Sequence, residues 1–150
     1  MSRVAVFYLA ILFAGASPVF AQDLPPANKS TSITYVDQAP VLDGILDDAI
    51  WSQAAVVDDF HQVRPVEYSD PTQRTEFLLA YDRDHLYVGA RIFEENPRRV
   101  TAKILRQGES LGTDDRIGII LDPFRNKRSG FFFLTNPNSI RREGIIKGEN

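Results

Sequence analysis

The chain has a single tryptophan, Trp51, and it sits in the segment Leu42-Asp43-Gly44-Ile45-Leu46-Asp47-Asp48-Ala49-Ile50-Trp51-Ser52-Gln53-Ala54. That setting constrains what the ring can do. Asp43-Gly44 supplies turn chemistry, because glycine tolerates positive φ and aspartate bonds its own backbone. Asp47 is placed to cap a following helix, and Asp48 puts a second negative charge in its first turn. With Asp47 as N-cap, Leu46 and Trp51 take the spacing of a hydrophobic staple. Trp51 and Ala54 then share one helical face. The segment predicts a short helix pinned to a core by one large aromatic ring, and by itself it implies no chemistry.

The rest of the chain is written in short strands. Ile33 to Val36 is the first candidate, and Val56 to Val63, carrying Phe60, follows the helix. Arg64 to Thr72 is a loop marked by Pro65 and Pro71. Thr75 to Asp82 and Leu86 to Glu94 predict a hairpin. In its second strand Leu86, Val88, Ala90 and Ile92 point one way, and the alternation assigns them to the core. Tyr87, Gly89, Arg91 and Phe93 point the other way, towards a second layer or a ligand. Asn96-Pro97 starts a second short helix with Val100, Ile104 and Leu105 as its apolar stripe. Gln107 to Thr113 is a loop. Ile117 to Leu121, Phe131 to Leu134 and Ile140 to Ile146 are the remaining strands. Many short strands with two short helices predict an all-β protein, an antiparallel β-sandwich of jelly-roll type.

Four stretches also resemble a known family in order and spacing. Leu42-Asp43-Gly44 to Trp51 and Ala54 looks like the entry motif of family 9 carbohydrate-binding modules and their relatives. Arg74-Thr75-Glu76 through Ala80-Tyr81-Asp82 to Leu86-Tyr87-Val88-Gly89 resembles the family's first long hairpin. Thr113-Asp114-Asp115-Arg116-Ile117 to Leu121-Asp122-Pro123 resembles its Asp-Asp to Leu-Asp strand. Gly130-Phe131-Phe132-Phe133 to Asn136-Pro137-Asn138 resembles the strand after it. The likeness spans roughly residues 37–145, and the last two pieces are most similar to a bacterial subgroup in which the module precedes a region resembling an outer-membrane barrel. Modules of this family are longer, so the resemblance implies a sandwich over 33–150 that is incomplete at its C-terminus, with an exposed apolar edge and low solubility in isolation.

The N-terminus carries an address. Arg3 precedes an apolar run from Val4 to Gly15, and small residues lead up to Gln22. This is the pattern of a signal peptide over 1–21, cut after Ala21, and the run is too short for the roughly 20 residues of a membrane span. Residues 22–32, with Pro25-Pro26, read as a flexible leader. Export places the protein in the periplasm, the outer membrane or the extracellular space. The chain has no cysteine, which excludes disulfides, a lipid-anchored cysteine and thiol chemistry. Acidic residues dominate up to Asp122, whereas Arg125, Lys127, Arg128, Arg141, Arg142 and Lys147 form a basic group near the end. An exported, net-acidic chain lacks the footprint of a nucleic-acid binder. The basic group is a solvated face, a partner surface, or a site for an anionic sugar or lipid head group.

The candidate sites follow from residue type. His61 and His85 are not paired at metal-ligand spacing, and no carboxylate pair stands out among many acids. Catalysis is therefore not expected of this domain, and a glycoside hydrolase activity would belong to a region downstream. Asp114-Asp115 at one end of a strand and Asp122 at the other are candidate Ca²⁺ ligands, since Ca²⁺ takes oxygens from carboxylates and loop carbonyls. The alternative is that Asp114 caps backbone amides and Asp122 opens a β-turn before Pro123. The better-known members of the family clamp a sugar between two tryptophans. This chain has one, so Tyr68, and Tyr87 with Arg91, are the available carbohydrate-binding groups, with packing as the other use of each ring. The expectation is an exported, non-catalytic module with a polysaccharide or oligosaccharide ligand, attached to a glycan-processing protein of carbohydrate catabolism. The alternative is a periplasmic N-terminal structural domain of a larger outer-membrane β-barrel protein.

Overall fold

The computed structural model describes residues 29–148. The expected signal peptide and residues 22–28 of the leader lie outside the described residues. The protein is mostly β, with two sheets and almost no helix.

The first sheet is built around β3 (Arg74–Tyr81), with β4 (Leu86–Phe93) antiparallel along its full length. The tight connection between them is fixed by Asp82, whose Oδ1 accepts the backbone N–H groups of Asp84 and His85, each at 2.7 Å. Two short strands share the other edge of β3. β2 (Ala55–Val57) runs antiparallel beside Phe77 to Leu79, and β1 (Thr34–Tyr35) runs parallel beside Ala80 and Tyr81. The one α-helical turn among the described residues, α1 (Ala49–Gln53), packs against β3.

The core lies between this helix and one face of the sheet. Val36, Ile50, Trp51, Leu78, Ala80 and Tyr87 form the buried cluster, with Leu46 and Ala54 packed against it. Small residues in the sheet make room for the indole. A Cβ on Gly89 would lie 3.0 Å from both Leu46 Cδ2 and Trp51 Cζ3, so glycine in the middle of β4 is a packing requirement. Trp51 is 6% exposed, and its Nε1 is buried without a hydrogen-bond partner among the described residues. Such an orphan costs about 1–3 kcal/mol, less than the roughly 3–5 kcal/mol that truncating a core tryptophan loses. Burial of the ring therefore wins.

The second sheet is antiparallel, with β6 (Ser129–Thr135) between β5 (Ile117–Leu121) and β7 (Arg141–Lys147). Direct pairing places Phe132 opposite Gly144 and Leu134 opposite Gly118. The side chains of the central strand lie over these glycines: a Cβ on Gly144 would meet Phe132 Cε1 at 2.6 Å. Bulky residues thus cover the gaps left by glycines on both flanking strands.

Four local expectations change. The face of β4 that meets the core is Tyr87 and Gly89, not Leu86, Val88, Ala90 and Ile92. Both faces are apolar enough to be buried, and the Leu46–Trp51 segment covers the one with room for a ring. The N-cap of α1 is Asp48, not Asp47, and its side chain makes no cap bond; instead its Oδ1 turns towards Val41 N at 3.4 Å. β2 stops at Val57, and Phe60 leaves the strand to place its ring 5.6 Å from that of Phe77. The second helix is replaced by a three-residue 3₁₀ turn, Pro97–Arg99. Asn96 does cap it, its side chain accepting Arg98 N at 3.2 Å. A helix cannot continue, because the amides it would need at Thr101, Lys103 and Ile104 donate to Asp115 and Asp114.

Candidate functional site

Asp114 organises the crossing between the sheets. It is 7% exposed. Its Oδ2 accepts Lys103 N at 3.0 Å, Ile104 N at 2.9 Å and Asn136 Nδ2 at 2.9 Å. Asn136, equally buried, uses its other atoms on the β6–β7 turn. Its Oδ1 accepts Asn138 N at 3.0 Å and Ile140 N at 2.9 Å, and its Nδ2 also donates to Ile104 O at 3.0 Å. Burial pushes the Asp114 carboxyl up, but bonds from Ile104, Asn136, Lys103 and Thr113 together hold it below the usual carboxylate range. Next to it, Asp115 closes a ring with Thr101: its Oδ2 accepts Thr101 N at 2.7 Å, and its own N donates to Thr101 O at 2.9 Å. Gln107 ties the same loop to β7 by accepting Arg141 N at 2.7 Å.

This clasped loop forms one wall of a cleft of about 450 Å³ between the sheets. Thr75 and Ile92 line it from the first sheet with Glu94 just past β4, and Thr135 lines it from the second sheet with Asp115 and Arg116 just before β5. A smaller space of about 220 Å³ continues between Phe77 and Val88 on one side and Ile119 and Phe133 on the other. Ile117 and Thr135 border both. The larger volume falls in the range of small-molecule sites, which combine apolar walls with a few placed polar groups. Hydroxyls, carboxylates, a guanidinium and the edge of Ile92 offer that mixture. Neither histidine contributes: His61 stands by Asp59 and His85 by Asp82, in separate loops.

The residues expected from the sequence to bind carbohydrate fall elsewhere, whereas Asp115, expected as a Ca²⁺ ligand, lines the cleft. Tyr68 is 48% exposed at a positive φ of 63° in the loop between β2 and β3. Tyr87 is buried in the core, and its hydroxyl donates to Asp82 Oδ2. That bond is the leading cause of two shifts, lowering Asp82 to about 2 and raising Tyr87 to about 12. Arg91 shares the face of Tyr87 and Gly89, with Nη1 3.8 Å from Glu76 Oε2 and Nη2 3.4 Å from Leu46 O. Tyr87 and Arg91 thus flank the glycine under the Trp51 ring.

The three acidic residues proposed for calcium are separated by β5. Asp122 accepts Lys127 N at 2.7 Å and Asn126 N at 3.3 Å, which with Arg125 N holds its carboxyl low. A five-residue strand spans on the order of 16 Å, so Asp122 cannot share an ion with Asp114 and Asp115. Among the described residues, no group of three or more histidine, aspartate or glutamate side chains is placed to hold a metal ion. Asp43 and Gly44 form a turn, with Asp43 Oδ1 accepting Ile45 N at 2.8 Å and Gly44 at φ 86°.

Sequence reading missed the cleft because its lining comes from both sheets and from residues with no motif of their own. The one available signal was Asp115-Arg116 at the mouth of β5. Comparison of the chain with protein-family models, with curated proteins and with solved structures finds no match.

Proposed function

We propose that this chain is the non-catalytic module of an exported protein, arranged as a mainly antiparallel sandwich in which only β1 runs parallel to its neighbour, and that its ligand is a short stretch of carbohydrate held in the cleft between the two sheets. The observation that carries the reading is the 450 Å³ cleft with polar groups from both sheets around the edge of Ile92. The acids around it support a binding role rather than a hydrolytic one. Asp114, Asp115 and Glu94 each accept backbone N–H groups, so each commits an oxygen to holding a loop. The resemblance to family 9 carbohydrate-binding modules points the same way.

Calorimetry against xylan, cellulose, β-glucan and their short oligosaccharides tests it. Binding to at least one is expected, and Thr75→Val should weaken it about five- to tenfold, the worth of one neutral hydrogen bond. Silence across the panel removes the sugar ligand.

A second reading is favoured by the second sheet, whose Leu121, Phe131 and Ile145 remain open to solvent. It makes the domain a structural, periplasmic piece of a larger outer-membrane protein. Coding sequence beyond Asn150 with alternating ten-residue strands and aromatic girdles supports it; an immediate stop codon rules it out.

A further inference from the structure

The basic group near the end of the chain is divided by the fold. Arg141 and Arg142 start β7, beside Thr135 and Leu134. Arg125, Lys127 and Arg128 lie in the β5–β6 turn, and Lys147 pairs with Ser129 at the same end of the sheet. All four of these cations are exposed, and none forms an ion pair with a carboxylate among the described residues. Asp122, the carboxylate in that turn, is taken by backbone amides.

Apolar surface sits in the middle of this charge. Phe124, at the tip of the turn, is 71% exposed. Leu121, Phe131 and Ile145 are paired across the three strands, so they form one continuous row on one face. All three are exposed, Ile145 at 59%. Lys147, two residues beyond Ile145, lies on that same face. None of these residues borders the clefts between the sheets. The row continues the face that Ile119 and Phe133 turn towards the first sheet, beyond the end of the proposed sugar cleft.

We propose that this end of the second sheet docks on an anionic lipid surface, with Phe124 entering the head-group region and Arg125, Lys127, Arg128 and Lys147 facing lipid phosphates. Cations around exposed aromatic and aliphatic residues are the composition of an interfacial anchor. A soluble polyanion would reward the charges but not Phe124, and that difference separates the two partners.

The test uses the chain from Gln22 onward, the form left by the expected leader cleavage, with sedimentation on vesicles. One set is phosphatidylcholine alone, and the other is equal parts phosphatidylcholine and phosphatidylglycerol. Binding is expected only to the second, weakening with salt. The triple variant R125Q/K127Q/R128Q should lose about a hundredfold in partitioning, since each cation near an anionic surface contributes about a factor of five. Phe124→Ser, at an exposed turn position, should lose about tenfold through the missing ring. Circular dichroism checks that both variants keep the fold of the parent. Absence of binding to the anionic vesicles, or equal binding to both kinds, overturns the proposal. So does Phe124→Ser that binds vesicles like the parent, above all if dextran sulfate in solution binds both proteins equally well.

Discussion

Replacing Asn136 by aspartate changes one atom of the buried hub and reverses its electrostatics. The new Oδ1 keeps the bonds from Asn138 N and Ile140 N. The new Oδ2 stands where Nδ2 donated, 2.9 Å from Asp114 Oδ2 and 3.0 Å from Ile104 O. A donor becomes an acceptor facing two acceptors, one of them charged. Leaving a buried charge without its partner costs about 3–5 kcal/mol, so the variant should lose at least about 3 kcal/mol at pH 7. That is a large share of the 5–15 kcal/mol that a domain of this kind has, and it corresponds to a fall of roughly 10 °C in Tm.

The pH dependence gives a second, independent sign. In the parent, the Asp114 carboxyl is held low, so its contribution is complete above pH 3.8 and is lost as pH falls through its folded value. In the variant, two carboxylates share one site, and one of them is pushed up. That pair contributes stability at low pH that disappears as pH rises, so acidification from pH 7 to 5 should stabilise the variant while leaving the parent level. Urea unfolding at the two pH values reads both effects. A variant as stable as the parent at pH 7, or one whose stability does not rise on acidification, would refute the hub.

Other outcomes follow from the same coordinates. Gly89→Val should cost about 1–3 kcal/mol through overpacking against Leu46 and Trp51, whereas Gly112→Ala, whose nearest neighbour is Ser110 Oγ at 3.6 Å, should change the unfolding free energy read from urea titration by less than about 0.5 kcal/mol. Tyr87→Phe removes the bond that lowers Asp82 to about 2; stability lost by the parent between pH 4 and 2 should be lost less steeply by the variant in acid titrations followed by circular dichroism. Because Tyr87 is raised to about 12, the parent should also lose stability as pH climbs from 10 towards 12, and the variant should lose less. Adding Ca²⁺ or EDTA should leave Tm unchanged, since the oxygens of Asp114, Asp115 and Asp122 already accept backbone amides; a rise in Tm with Ca²⁺ would show that loop 107–116 rearranges around an ion.

Strands were legible where local pattern and pairing agree. Ile117 to Leu121 is continuous, apolar and ended by Asp122-Pro123, and the strand has those bounds. The β3–β4 hairpin was readable to within a residue at each end, because two strand-forming runs flank a short polar turn and Asp82 closes it. What failed depended on partners distant in sequence. Which face of β4 is covered follows from the fit of the Trp51 ring over Gly89, and alternation alone cannot choose between two apolar faces. The helix after Asn96 was lost because Asp114 and Asp115, more than ten residues on, capture its amides. Tyr87 looked like a ligand platform beside Arg91, yet its ring is in the core, and its one polar atom bonds Asp82. Beyond Asp115-Arg116 at the mouth of β5 the cleft carried no signature, since it exists only once the two sheets face each other.

The most direct test of a sugar in that cleft is a two-dimensional amide NMR titration with the oligosaccharide that binds tightest in calorimetry. The account predicts shifts confined to Thr75, Ile92, Asp115, Thr135 and their immediate neighbours. Shifts centred on the Tyr68 loop, or an unchanged spectrum at saturating sugar, would contradict it.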